Sequence, residues 1–143
     1  MSADDAPVFV DTNVLVYAFD QSAGEKRDRA RSVLDQLWSD MRGRLSIQVL
    51  QEFYVAVTQK VPRPMEQETA AGIVRDLSYW RLHAPVTEDV LGAIGLQQRY
   101  MSSFWDAMII WSAQQLSCGE VWSEDLREGQ DYDGVRVANP FRG

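Results

Sequence analysis

Short apolar runs alternate with longer stretches of helical periodicity along the whole chain. Val8-Phe9-Val10 is an apolar run of β type that stops at Asp11-Thr12-Asn13, and Val14 to Ala18 is apolar again; the pattern predicts a buried strand, a polar turn and a buried helix. Gly24 opens a polar segment, after which Ala30, Val33, Leu34, Leu37 and Trp38 recur at helical spacing over about residues 25–40, the mark of an amphipathic helix. Met41-Arg42-Gly43-Arg44 predicts a turn, Leu45-Ser46-Ile47 a very short strand, and the segment from there to about Lys60 another helix. Pro62-Arg63-Pro64 ends that helix, because proline supplies no amide and the residue before it avoids helical dihedrals.

Glu66 to Trp80 predicts the next helix, with Ala70, Ile73, Val74 and Leu77 inward, and Leu82-His83-Ala84 a weak strand. Thr87 is placed to cap a helix over about residues 88–101, in which Gly92 and Gly95 permit close approach of a neighbour. Ser102-Ser103 breaks it, Phe104 to Leu116 forms a strongly apolar helix ended by Gly119, and Val121-Trp122 is a strand running into Ser123-Glu124-Asp125. Val135-Arg136-Val137 reads as a last, edge strand. Strands alternating with helices predict an α/β fold: a three-layer α/β/α sandwich of Rossmann-like type with a short central parallel sheet. No repeat, low-complexity tract or linker divides residues 1–143, so one domain is expected.

Composition narrows the functional classes. Hydrophobic residues at 45% and charged residues at 24% are ordinary globular usage. No stretch approaches the ~18 uninterrupted apolar residues of a membrane span, and Met1 to Pro7 carries acids where a secretory leader has bases, so a cytoplasmic protein without a membrane role is expected. Cys118 is the sole cysteine, which excludes an intrachain disulfide and a cysteine-built zinc site. A net charge of −7 argues against a plain electrostatic nucleic-acid binder, since counterion release needs clustered cations. Lys26, Arg27, Arg29 and Arg31 spread over more than one face of their helix and read as solvated surface.

The acids are better placed. In an open parallel sheet ligands sit outside the carboxyl ends of the strands, and Asp11 and Asp125 follow two predicted strands there. Glu52 lies at the border of the apolar face of its helix, partly buried, and Asp106 sits in a first helical turn flanked by Phe104, Trp105, Met108 and Ile109. Four converging carboxylates without His or Cys suit magnesium or manganese, which can polarise a scissile phosphate and activate a water. Each acid also has a structural reading: Asp11 as an Asx-type strand end, Asp106 as the N3 acid of a capping box with Ser103, Glu52 as an amphipathic border residue, and Asp125 as one more acid in a loop with Glu124, Glu128, Asp131 and Asp133.

Taken together, Val8-Phe9-Val10-Asp11-Thr12-Asn13, Ser46-Ile47-Gln48-Val49-Leu50-Gln51-Glu52-Phe53, Trp105-Asp106-Ala107 and Ser123-Glu124-Asp125-Leu126 resemble, in order and spacing, the PIN-domain ribonucleases, in particular VapC-like toxins of bacterial toxin–antitoxin pairs. The tail Asp133 to Phe141 looks like the end of one PIN subgroup. The resemblance implies that Asp11, Glu52, Asp106 and Asp125 form the catalytic metal site, supported by hydrogen bonds from Thr12, Asn13 and Ser123. The fourth acid is Glu124 or Asp125, and alignment on the Ser123 turn favours Asp125.

The same resemblance implies a Mg2+- or Mn2+-dependent endoribonuclease acting on RNA such as tRNA or rRNA, a cognate VapB-like antitoxin that covers the acidic site, often with an Arg or Lys, and a homodimer. Alternatives are a stand-alone PIN nuclease and a non-catalytic PIN-fold module for protein or RNA contact. A receiver-type signalling domain expects a lysine near the last strand, whereas Lys26 and Lys60 are both early. Trp38, Trp80, Trp105, Trp111 and Trp122 read first as core or dimer contacts, and His83 as structural.

Overall fold

A computed structural model describes residues 6–142 of the chain; the acidic start at Met1 to Asp5 lies outside them. Six strands form one sheet: β1 (Val8–Val10), β2 (Gly43–Ser46), β3 (Arg81–His83), β4 (Glu120–Trp122), β5 (Asp131–Tyr132) and β6 (Val135–Ala138). Their order is β3-β2-β1-β4-β6-β5, parallel throughout except for the antiparallel β5–β6 pair. The helices are α1 (Thr12–Phe19), α2 (Glu25–Asp40), α3 (Ile47–Val55), α4 (Gln67–Leu77), α5 (Thr87–Tyr100) and α6 (Phe104–Gln115). The fold is therefore a mixed α/β architecture with a central parallel sheet flanked by helices, as its alternation of elements predicts.

One apolar cluster runs from Val8 to Val137, with Phe9, Val10, Leu45 and Val121 fully buried in the sheet and Leu15, Leu37, Phe53 and Ala113 packed from the helices. β1 is buried at every position, as a central parallel strand covered on both faces requires. No helix among the described residues is long and apolar enough to cross a membrane.

Local chemistry moves several boundaries. Ile47 begins α3 instead of ending β2, because Ser46 is the N-cap and its Oγ accepts from the Val49 amide at 3.2 Å. The same helix passes into a π-helical turn at Ala56–Lys60 before the prolines. α4 ends at Leu77, short of Trp80. Val86, not Thr87, precedes the first turn of α5, and the Asp89 carboxylate satisfies the Val86 amide at 2.8 Å. The largest correction concerns β6, expected at the edge: it pairs with β4 on one side and β5 on the other, so a short hairpin strand forms the edge. Asp133 and Gly134, both at positive φ, make the two-residue turn that joins them.

The two glycines singled out in α5 separate. A Cβ on Gly92 would lie 2.3 Å from the Trp111 ring, whose Nε1 donates to Asp89 at 2.9 Å and so cannot simply swing away; a Cβ on Gly95 would meet nothing within 4 Å. Gly95→Ala is expected to stabilise the protein by about 0.5–1 kcal/mol through helix propensity, whereas Gly92→Ala should destabilise it by about 1–3 kcal/mol through overpacking. Urea midpoints of the two variants check the pair; equal shifts would remove the close α5–α6 contact from the account.

Candidate active site

The chain order reverses between β1 and β4, the topological switch point at which an open parallel sheet leaves a crevice. The Asp11 amide donates to the Trp122 carbonyl at 3.0 Å and the Ser123 amide to the Ala138 carbonyl at 3.0 Å, so both residues stand one step beyond their strands, side by side. Asp11 is 8% exposed and Ser123 fully buried. Asp11 Oδ1 accepts from the Thr12 amide at 2.7 Å, and Oδ2 accepts from Ser123 Oγ at 2.7 Å and Asn13 Nδ2 at 3.3 Å. Asp11 thus caps α1 and ends its strand, as the structural reading has it, while its second oxygen is held at the crevice.

Asn13 and Ser123 tie the two strand ends together. Asn13 Nδ2 also donates to Asp125 Oδ2 at 3.2 Å, and Asn13 Oδ1 accepts from the Glu124 amide at 3.0 Å. Ser123 Oγ accepts from the amides of Asp125 and Leu126, each at 3.2 Å. The adjacent acids face different ways. Glu124 bonds Lys26 Nζ at 2.5 Å and Tyr17 Oη at 2.6 Å, whereas Asp125 lines the crevice.

The other two acids come from helices and are exposed, not buried as the apolar company of their sequence neighbours suggests. Glu52, on α3, accepts from Gln48 Nε2 at 2.7 Å, one turn earlier. Asp106 occupies the N3 position of α6, where its amide donates to Ser103 Oγ at 3.1 Å. The reciprocal bond that completes a capping box, from the Ser103 amide to the Asp106 carboxylate, is not made, so the carboxylate is left to the crevice.

The result is an open cleft of about 360 Å³ lined by Asp11, Glu52, Asp106 and Asp125, with Thr12, Asn13, Val16, Tyr17, Gln48, Trp105 and Ile109. No lysine or arginine is among its lining residues. Burial pushes the Asp11 carboxyl up to about 6; hydrogen bonds from Ser123 and Thr12 oppose the shift, and the charges of Glu52 and Asp125 add to it.

Among the described residues no three His, Cys, Asp or Glu side chains form a ready-made metal cluster. The donor chemistry nonetheless suits a hard divalent cation. Every candidate ligand is an oxygen, magnesium commonly takes one or two carboxylates and retains its waters, and a buried carboxylate among like charges favours a counter-charge. Two lining residues, Thr12 through Oγ1 and Gln48 through Oε1, also carry buried oxygens without a hydrogen-bond partner.

Gln48 stands within the Ser46-to-Phe53 stretch that carries the family resemblance, although that resemblance gives it no role. It is buried, and its spacing of four before Glu52 on one helix is the signal that could have found it. His83 behaves as a structural residue: Nδ1 pairs with Ser112 Oγ at 2.7 Å and Nε2 stands 3.4 Å from Asp89, away from the cleft. Trp80, Trp111 and Trp122 pack against the core, but Trp38 and Trp105 are 46% and 63% exposed.

No curated protein sequence gives a significant match. Solved structures do. A chain from a toxin–antitoxin complex of Klebsiella pneumoniae superposes with a TM-score of 0.70 at 20% identity, covering 95% of this chain and 98% of that one. VapBC from Salmonella typhimurium, solved bound to DNA, gives 0.67 at 18% identity over 94% and 98%. VapC20 of Mycobacterium tuberculosis, a sarcin-ricin-loop-cleaving toxin, gives 0.61 at 16% identity over 82% and 89%. These likenesses establish a shared fold, and the sequence agrees with them: the PIN domain family model matches residues 8–130, from the strand that presents Asp11 to just beyond Asp125, and the chain belongs to the PIN-domain family.

Proposed function

We propose that the protein is a magnesium- or manganese-dependent endoribonuclease and the toxin of a toxin–antitoxin pair. The observation that carries this reading is the gathering of Asp11, Glu52, Asp106 and Asp125 around one cleft without a lysine or arginine in its lining. Asp11 and Asp106 are assigned as the principal metal ligands, with Asp125 and Glu52 completing the acidic set. A divalent ion bound there supplies Lewis-acid polarisation of a phosphodiester and a lowered pKa for water.

The chain's own residues supply the geometry. Ser123 and the Thr12 amide fix both oxygens of Asp11, and Asn13 links Asp11 to Asp125. Gln48 holds Glu52 Oε1, leaving Oε2 to take a proton from an attacking water. Acids that collect a metal repel RNA phosphates without one, so RNA affinity is expected to require the divalent ion.

The toxin assignment draws on the similar structures, which include a toxin–antitoxin complex and a toxin that cleaves the sarcin-ricin loop. A VapB-like antitoxin presenting an Arg or Lys would neutralise the cleft, and a homodimer is the proposed assembly.

The test is cleavage of tRNA and rRNA fragments by purified, antitoxin-free protein. Cutting is expected with Mg2+ or Mn2+, absent with chelator and absent in Asp106→Asn. Activity that survives chelation, or that Asp106→Asn retains, would overturn the mechanism. RNA left intact by a chain that also shows no saturable Mn2+ binding would instead identify a non-catalytic PIN-fold module.

A further inference from the structure

Trp105 is the one large side chain of the cleft whose placement neither folding nor the metal explains. It is 63% exposed although it directly precedes Asp106 and lines the same cleft. Its ring is backed by Phe104 in an edge-to-face contact, centroids 5.0 Å apart at 77°, and Gln48 Nε2 reaches its carbonyl at 3.5 Å. A ring backed by a second ring and left open beside four carboxylates offers a flat apolar face to a planar ligand group. The cleft's other aromatic, Tyr17, is half-buried and spends its hydroxyl on Glu124. Trp38, the other exposed tryptophan, lies in separate grooves against Trp80.

Charge explains why such a platform would be needed. The protein carries −7, and without a cation among the cleft's lining residues the counterion-release term that normally drives RNA binding is weak there. Stacking of a base on an aromatic face requires no charge and is tolerant of base identity.

We propose that Trp105 is a substrate-binding residue, the platform on which an unpaired nucleobase flanking the scissile phosphate stacks. This rests on the ribonuclease reading. A duplex base is already stacked on both faces, so Trp105 would select substrates whose base is free to leave the helix.

Fluorescence anisotropy with the full chain tests it. Calcium replaces magnesium as an oxygen-seeking cation, and the probes are labelled ten-nucleotide RNAs and an equally long ribose-phosphate oligomer without bases. Trp105→Ala is expected to weaken RNA binding roughly 5- to 100-fold, to leave the base-free oligomer unaffected, and to be largely rescued by Trp105→Phe. Equal losses on both probes, no loss on RNA, or a changed oligomeric state in Trp105→Ala would overturn the platform, the last placing the ring in a protein contact. Wild-type protein that binds no RNA would remove the ribonuclease reading together with it, whereas binding indifferent to Trp105 removes only the inference.

Discussion

Asp11→Asn is expected to give a protein that no longer cuts RNA yet melts a few degrees higher than wild type at pH 7 without metal. The Asp11 carboxyl is buried and its pKa rises from 3.8 to about 6, so between these values the folded state holds a proton that the unfolded state has released. Stability from this group is therefore fully present below about pH 3.8 and lost as pH rises through 6. A shift of about two units corresponds to roughly 3 kcal/mol, and in a chain of this size each kcal/mol moves the melting point by about 2–4 °C or somewhat more.

Asparagine carries no charge and keeps an oxygen for the Thr12 amide, but its NH2 stands where Oδ2 accepts from Ser123 and Asn13; those lost bonds offset part of the gain at pH 7 and should leave the variant the less stable of the two near pH 4. Added Mg2+ should raise the melting point of wild type and leave the variant unmoved. Melting curves at pH 4 and 7, with and without Mg2+, check all four values. A variant less stable than wild type at pH 7 would show that the Asp11 charge is balanced by some other feature of the fold.

How far the sequence discloses this arrangement depends on the range of the interactions. β1 and the strand-end positions of Asp11 and Asp125 follow from apolar runs stopped by polar residues, a signal carried by adjacent positions. The sheet order does not, because pairing β1 with β4 joins residues more than a hundred positions apart. β6 reads as the last, edge strand of the pattern, yet β5, two residues long, lies outside it. Its local signature, Asp133-Gly134 at a hairpin turn, is present in the sequence.

The same limit applies to side chains. Periodicity around Glu52 and Asp106 describes the faces of isolated helices, and both carboxylates prove exposed because their helices border an open cleft that other elements enclose. Glu124 and Asp125 are neighbours that alignment on the Ser123 turn ranks in favour of Asp125, and the physical reason for that ranking lies in distant residues. Lys26 and Tyr17, both distant in sequence, draw the first away, and Asn13 links to the second.

Ser123→Ala should be among the most damaging single changes to the site, although it removes one oxygen atom from a residue that coordinates nothing in the proposed mechanism. The Ser123 hydroxyl is fully buried, donates to Asp11 Oδ2 and accepts from the amides of Asp125 and Leu126. Alanine leaves those amides without this acceptor and Asp11 without the hydrogen bond that most strongly opposes its raised pKa. One buried unsatisfied group costs about 1–3 kcal/mol, so a loss of about 2–4 kcal/mol at pH 7 is expected, measured as a reduced urea midpoint at unchanged slope. Protonation competes with metal binding, so a higher Asp11 pKa also weakens the ion's hold. Mn2+ affinity at pH 7 should fall about 10- to 100-fold, as when an outer partner of a ligand is lost, and should recover in part at higher pH. Lost stability with intact Mn2+ affinity would make Ser123 a loop-fastening residue only. Loss of both would tie the metal site to the bond that joins the ends of β1 and β4.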